Sequence, residues 1–102
     1  FIALDNDVVV GTAGLSKRND VEYELVKMAV DPVSRGIGIG KLLLTHCIDT
    51  AKKLKAEKLI LFSNSQLQTA LTLYNRFGFV HVEVTDTEML TADVRMELNL
   101  IN

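Results

Sequence analysis

Residues 30–44 have the sequence VDPVSRGIGIGKLLL, in which an apolar run meets a proline, then alternating glycines, and then the spacing of a helix. Pro32 lacks a backbone N–H and biases Asp31 towards extended geometry, so we expect a strand to end there and a helix to begin near Ile39. Glycine lets a ligand approach the backbone closely, and a helix N-terminus offers unpaired N–H groups at the positive end of its dipole. The segment therefore predicts a strand, an anion-binding loop and a helix, with phosphate as the natural ligand.

The spacing of the glycines argues against the two commonest phosphate-binding loops. A P-loop would require glycine at position 35 and serine or threonine at position 42, where this chain has Arg35 and Leu42. A dinucleotide-binding fingerprint would require G-x-G-x-x-G, whereas Gly36, Gly38 and Gly40 follow one another as G-x-G-x-G, and no acidic residue ends a strand about twenty residues later. A nucleotide-binding domain of either kind is therefore a weak interpretation.

Composition limits the remaining classes of protein. The 102 residues are enough for one domain, and 48% hydrophobic residues can supply its core. The formal net charge of −2 argues against nucleic acid or an anionic membrane as the main partner, since both call for a basic surface. A single cysteine, Cys47, cannot form an internal disulfide, and we expect a reducing, cytoplasmic setting. His46 and His81 do not lie at zinc-ligand spacing, so no metal site is predicted.

Hydrophobic periodicity predicts two helices and six strands in a mixed α/β arrangement. An amphipathic helix follows the glycines and an apolar run follows that helix, which indicates two parallel strands joined by a right-handed helical crossover. Antiparallel hairpins are expected at both ends of the chain, so the sheet should be mixed and mostly antiparallel, with a central parallel pair. The predicted strands cover residues 1–4, 8–15, 21–30, 59–62, 80–85 and 94–100, and the predicted helices cover 38–55 and 69–77.

The third predicted strand carries a break in its alternation. Apolar side chains occupy odd positions up to Leu25 and even positions from Val26 onwards. A strand with a period of two residues cannot change phase and remain regular, so we infer a β-bulge near these two residues. A bulge would splay the strand from its neighbour and open a cleft beside the glycine loop. The alternative is a strand end that is buried on both faces, without a cleft.

Two blocks of the sequence resemble the GNAT superfamily of N-acetyltransferases. The pyrophosphate loop of that family has arginine or glutamine, two residues, glycine, one residue, and glycine or alanine, and Arg35, Gly38 and Gly40 match it. The second block, ALTLYNRFGF at residues 70–79, follows in the order that the family has. The resemblance implies a GNAT fold over residues 1–102 as a single domain, without the first strand and two helices that family members normally carry.

The resemblance also implies where acetyl-CoA would bind. In the family, a bulge in the corresponding strand admits the pantetheine arm, which pairs with the backbone of that strand as an added strand would. The amides of the glycine loop hold the pyrophosphate, and an asparagine after the central strand contacts the cofactor arm. The cofactor-binding residues are thus expected to be Met28, Val30, Arg35, Gly36, Gly38, Gly40, Lys41 and Asn64.

Tyr74 is the proton donor that the resemblance implies, because the family places a tyrosine four residues before the Gly-Phe of the second block. A phenol with a pKa of about 10 stays protonated at neutral pH and can protonate a departing thiolate. A core tyrosine at helical spacing is the alternative. Glu24 lies where some family members carry a catalytic glutamate, but Glu22 is of similar type, and many relatives move the amine proton through water. The identity of the general base is therefore left open.

The resemblance implies transfer of an acetyl group from acetyl-CoA to a primary amine of a small molecule or a peptide. The alternative is a non-catalytic CoA-binding module of the same fold. Neither the acceptor nor the oligomeric state follows from these residues, and a homodimer is left open. We expect no metal, no nucleic-acid partner and no membrane partner.

Overall fold

Strands and helices follow one another along the chain in the order that the periodicity predicts. The computed structural model describes residues 1–5, 8–31, 38–84 and 92–101. The elements in these residues are β1 (Ile2–Asp5), β2 (Val8–Lys17), β3 (Glu22–Val30), α1 (Ile39–Lys53), β4 (Lys58–Ser63), α2 (Gln68–Arg76), β5 (Val80–Val82) and β6 (Val94–Asn99).

The strands form one six-stranded sheet in the order β1-β2-β3-β4-β6-β5. The β3 and β4 strands are parallel, and every other neighbouring pair is antiparallel. This confirms the predicted mixed sheet with a central parallel pair. The β6 strand lies between β4 and β5, so the last hairpin folds back and places its second strand against the centre of the sheet.

Both helices bury their apolar sides in one cluster on one face of the sheet. Cys47 and Ala51 of α1 are fully buried, as the apolar stripe of that helix predicts, and so is Leu44 beside them. Leu59 and Leu61 of β4 are buried in the same region. Because side chains alternate along a strand, the residues between them point to the opposite face. The two faces of the sheet are therefore lined by different residues, and both matter for the site.

The break in alternation of β3 is a bulge centred on Lys27. The pairing with β2 shifts between Gly14↔Val26 and Thr12↔Ala29, so β3 has one residue more than β2 in this interval. Lys27 has a φ of 54°, in the left-handed region that a side chain rarely adopts. The inferred bulge is therefore present, one residue beyond the predicted pair. No helix among the described residues is long and apolar enough to cross a membrane.

Candidate functional site

The parallel strands β3 and β4 separate part of the way along the sheet. Their ladder runs from Glu22↔Lys58 to Leu25↔Leu61 and ends there, while β3 continues to Val30. The bulge at Lys27 lies just past the last pair, which explains the separation, because a bulge bends its strand and increases its twist. A wedge-shaped opening therefore lies between the ends of β3 and β4.

Thr12 on the neighbouring strand holds the bulge in place. Its Oγ1 donates a hydrogen bond of 2.9 Å to the carbonyl of Lys27. A bulge takes one residue out of the ladder and leaves its backbone groups to find other partners. The Thr12 hydroxyl supplies such a partner, so β2 stabilises the shape that separates β3 from β4.

The backbone of β3 beyond the bulge turns towards the opening groups that have no strand partner among the described residues. The N–H of Asp31 donates to the carbonyl of Val10 on β2 at 2.7 Å. Because backbone groups alternate along a strand, the N–H of Ala29 also faces β2, whereas the N–H and C=O of Met28 and Val30 face away from β2. They therefore face the opening, where an extended ligand could pair with them as an added strand.

The N-terminus of α1 lies beside this end of β3. A Cβ built on Gly40 would come within 3.1 Å of Leu73 Cδ2, 3.8 Å of Met28 Cε and 3.9 Å of Val30 Cγ2. Gly40 therefore allows α1 to approach both β3 and α2 closely, and a larger side chain there would push these elements apart. This packing places the start of the helix next to the opening.

The first turn of α1 has the features of an anion-binding helix end. Gly38 is the N-cap with a φ of 86°, it has no side chain with which to cap the helix, and the first turn holds no acidic residue. The helical bonds begin with the N–H of Leu42 donating to Gly38 O at 3.0 Å, so the three preceding amides come before the ladder. Among the described residues, apart from the chain neighbours of Gly38, no atom lies within 4 Å of the position that a Gly38 Cβ would take. Lys41 is exposed. Arg35 and Gly36, which were predicted to bind with this helix end, lie outside the described residues.

Tyr74 lies on α2, on the helical face of the sheet. It is 6% exposed, and its ring meets the ring of Phe79 in an edge-on contact with centroids 5.8 Å apart. Gly78, with a φ of 97°, ends the helix in the predicted C′ position, and the Phe79 N–H donates to the Tyr74 carbonyl at 3.1 Å. Burial raises the pKa of the Tyr74 hydroxyl above its ordinary value, so the phenol keeps its proton at neutral pH.

Glu24 lies on the other face of the sheet. Its strand partner is Ile60, whose neighbours Leu59 and Leu61 belong to the helical side. Glu24 is partly exposed, as is Glu22, two residues before it on the same face. The structure therefore does not bring Tyr74 and Glu24 together on one surface; they flank the sheet from opposite sides.

Charged side chains surround Phe62 on the face that carries Glu24. The Arg18 and Arg95 guanidinium carbons lie 5.8 and 5.7 Å from the centre of the Phe62 ring, within the range of a cation–π contact. Glu97 binds Arg95 at 3.1 Å and Lys58 at 3.2 Å. Neither of the two described helices packs on this face. The end of β4 is thus polar on one side of the sheet and apolar on the other.

Asn64 follows the last residue of β4, at the mouth of the opening. Its Oδ1 accepts a hydrogen bond of 3.0 Å from the N–H of Gln66, and its carbonyl accepts one of 2.9 Å from the N–H of Leu67. The side-chain oxygen is thus engaged within the turn. Among the described residues no acceptor is found for the two hydrogens of Nδ2, which leaves them for a ligand carbonyl.

Sequence reasoning missed Thr12, Ser65 and Asp93. Thr12 pins the bulge, and Asp93 binds Ser65 in the turn after β4. Turn composition marks residues 64–68 as a loop, but Asp93 is 28 residues from Ser65, and no local pattern links them. Such contacts follow from strand order, which periodicity alone does not give.

A family model confirms the class of protein that this arrangement suggests. The model of the acetyltransferase (GNAT) family matches residues 1–79. The match covers well over half of the chain and includes the third strand, the glycine loop and the second block at residues 70–79. The chain belongs to the GNAT acetyltransferase family.

Individual proteins are also similar to this chain in sequence or in fold. An uncharacterised protein of Mycobacterium leprae is 34% identical over 79 residues, which are 74% of this chain and 21% of that protein. A GNAT-family acetyltransferase from Staphylococcus aureus superposes with a TM-score of 0.88 at 28% identity, over 98% of this chain and 66% of that one. An acetyltransferase from Salmonella typhimurium, described as putative and solved with acetyl-CoA, has a TM-score of 0.81 at 22% identity, over 99% of this chain and 64% of that one. The chain thus spans about a fifth of the curated relative and about two thirds of these structures.

Proposed function

We propose that this chain binds acetyl-CoA and transfers its acetyl group to a primary amine of a small molecule or peptide. The observation that carries the proposal is the backbone of Met28 and Val30, which has no strand partner on the β4 side among the described residues, beside the glycine-capped N-terminus of α1. The two features suit a ligand with an extended amide arm and a phosphate group. The acetyl-CoA in the Salmonella structure supports this choice, since that chain has the same fold.

The residues present fit such a ligand. The N–H and C=O groups of Met28 and Val30 would pair with the amides of the arm, and the Nδ2 of Asn64 would donate to a carbonyl from the β4 side. The amides of the first turn of α1, with Lys41 and the predicted Arg35 and Gly36, would hold the pyrophosphate. Gly38 has no side chain, and no atom of the other described residues beyond its chain neighbours lies within 4 Å of its Cβ position, so a phosphate could approach that backbone closely.

Acetyl-CoA would supply an activated acyl group, held as a thioester. In the overall transfer, the amine nitrogen forms a bond to the acetyl carbon, the carbon–sulfur bond breaks, and the sulfur takes a proton. Tyr74 is the proposed donor of that proton, because its buried hydroxyl stays protonated at neutral pH and lacks a hydrogen-bond partner among the described residues. The backbone N–H groups facing the opening would position the thioester and stabilise charge on its carbonyl oxygen.

We propose that the amine enters from the face opposite the helices. Glu24 and Glu22 lie there, and carboxylates attract the ammonium form of an amine and can accept its proton. Glu24 is the proposed base, with water as the carrier if the carboxylate does not reach the amine directly. In this arrangement the proton is removed on one side of the sheet and supplied on the other.

A second candidate function is a non-catalytic CoA-binding module. The observation that favours it is the packing of Tyr74, which is 6% exposed and in contact with Phe79, as a purely structural core tyrosine would be. Binding of CoA would be the same in both cases, so only turnover separates them.

The test is an acetylation assay on the full-length protein with a panel of small-molecule and peptide amines. Release of free CoA thiol is measured with and without each amine. We expect at least one amine to raise thiol release well above the rate without amine. If CoA binds but no amine raises the rate, the non-catalytic module is the better account. The wholly buried Cys47 should not contribute to the thiol signal in the folded protein.

We propose a cytoplasmic setting for the protein, since its single cysteine cannot form an internal disulfide.

A further inference from the structure

The turn after β4 is held by a carboxylate from another strand. Asp93 Oδ1 accepts a hydrogen bond of 2.8 Å from the backbone N–H of Ser65, and Asp93 Oδ2 accepts one of 2.6 Å from the Ser65 hydroxyl. Both oxygens of one carboxylate are therefore used on a single residue. Hydrogen bonds to an ionised carboxylate are shorter and stronger than those between neutral groups. These bonds lower the pKa of Asp93, the one to the Ser65 hydroxyl most, so the carboxylate is charged at neutral pH.

This contact begins where the ladder between β4 and β6 ends. The last pair of that ladder is Ser63↔Val94, and Asp93 and Asn64 are the next residues on each strand. The bonds from Ser65 to Asp93 thus extend the connection past the end of the sheet, on the side of the opening.

Asn64 lies between the end of β4 and Ser65, and the same turn sets the orientation of its side chain. Its Oδ1 is bound to the N–H of Gln66, the residue after Ser65. The Gln68 side-chain amide donates in turn to the Ser65 carbonyl. Ser65 is therefore fixed through its N–H, its hydroxyl and its carbonyl. A movement of Ser65 would shift the Gln66 N–H and release the side-chain amide of Asn64.

We propose that Asp93 is a positioning residue of the acetyl-CoA site, which acts through Ser65 to aim the side-chain amide of Asn64 at the cofactor arm. The inference rests on the proposed function. Asp93 is exposed and does not fill the core, so its removal takes away the carboxylate contacts without leaving a cavity.

The test compares CoA dissociation constants by calorimetry in the full-length protein. Asp93→Ala and Asn64→Ala are each expected to raise the Kd by about fivefold, the effect of losing one aligned hydrogen bond. The double variant with Asp93→Ala and Asn64→Ala is expected to have the same Kd as Asn64→Ala alone, because the side chain that Asp93 positions is then absent. Ser65→Ala, which keeps the N–H and loses the hydroxyl, should raise the Kd by a smaller factor. Asp49→Ala, which removes an exposed carboxylate from α1, is the charge-matched control and should bind like wild type.

Two results would overturn the inference. One is a Kd for both Asp93→Ala and Ser65→Ala within the error of wild type. The other is a further rise of about fivefold in the Kd when Asp93→Ala is added to Asn64→Ala. It would mean that the contact between Asp93 and Ser65 affects only the general stability of the protein. If Asp93→Ala does not fold, the same comparison of Kd values is made with Ser65→Ala, alone and combined with Asn64→Ala. A full additional loss in the combined variant would again overturn the inference. A wild-type protein that binds no CoA would overturn the proposed function, a result distinct from either of these.

Discussion

Leu25 of β3 and Leu61 of β4 form the last pair of the parallel ladder, and the proposed cofactor site begins at this pair. Up to it the two strands are joined by hydrogen bonds, and past it the bulge at Lys27 directs β3 away. An opening in the middle of a sheet leaves backbone groups unpaired, which costs stability unless a ligand or water satisfies them. The fold therefore places unused hydrogen-bonding capacity where an extended ligand would pass.

Gly38 tests the anion site at the start of α1. Gly38→Asp places a negative charge at this helix end, and we expect a loss of CoA affinity above about 2 kcal/mol. A φ of 86° is unfavourable for most side chains, but asparagine and aspartate adopt this region more readily than the others. Gly38→Asn is therefore the matched control, because it places a side chain of similar size there without the charge. Calorimetric titration with CoA, beside a melting curve of each variant, measures the difference. Equal CoA affinities of the folded Gly38→Asp and Gly38→Asn proteins would mean that the start of α1 does not bind the phosphate groups of CoA.

Thr12 tests whether the bulge shapes the cofactor site. Thr12→Val keeps the branched shape but removes the hydroxyl that donates to the Lys27 carbonyl, and we expect a loss of about 1 kcal/mol in the free energy of unfolding. The CoA affinity should fall as well, because the bulge directs Met28 and Val30 towards the opening. Thr12→Ser keeps the donor and should stay close to wild type in affinity. A Thr12→Val protein with wild-type CoA affinity would show that the bulge holds its shape without the hydroxyl.

Tyr74 separates catalysis from packing. Tyr74→Phe keeps the ring against Phe79 and removes the proton donor, so kcat at saturating acetyl-CoA should fall by about 10²-fold or more, with little change in CoA affinity or melting temperature. Tyr74→Ala also removes the ring and should cost about 3–5 kcal/mol of stability. Full activity in Tyr74→Phe would take this residue out of the mechanism and leave water as the donor.

The buried phenol of Tyr74 also predicts a pH dependence of stability. Its pKa is raised above the ordinary value of 10.0 by burial, so the folded state holds the proton more tightly than the unfolded chain does. The stability linked to this group is therefore intact below pH 10 and is lost as the pH rises from about 10 towards the raised folded value. Melting temperatures measured from pH 8 to 11 should fall more steeply for wild type than for Tyr74→Phe. Parallel curves would mean that the Tyr74 hydroxyl is solvated in the folded protein.

The sequence predicts the elements of this fold well because their signals are local. The phase change near Leu25 and Val26 marks the bulge to within a residue, and Gly78, within the second block at residues 70–79, marks the end of α2. The position of β6 between β4 and β5, and the bonds from Asp93 to Ser65, depend on pairing between distant segments, which periodicity does not encode. The opposite placement of Tyr74 and Glu24 follows only once the faces of the sheet are assigned.

Residue-resolved hydrogen exchange of the backbone amides, with and without CoA, would show whether the cofactor pairs with β3. We predict that CoA slows exchange at Met28 and Val30, which face the opening, and at residues 39–41 in the first turn of α1. The amides of Ala29 and Asp31 face β2 and should change little, which provides an internal control on the same strand. Protection by CoA at other sites, with exchange at Met28 and Val30 unchanged, would contradict the proposal that the cofactor pairs with β3.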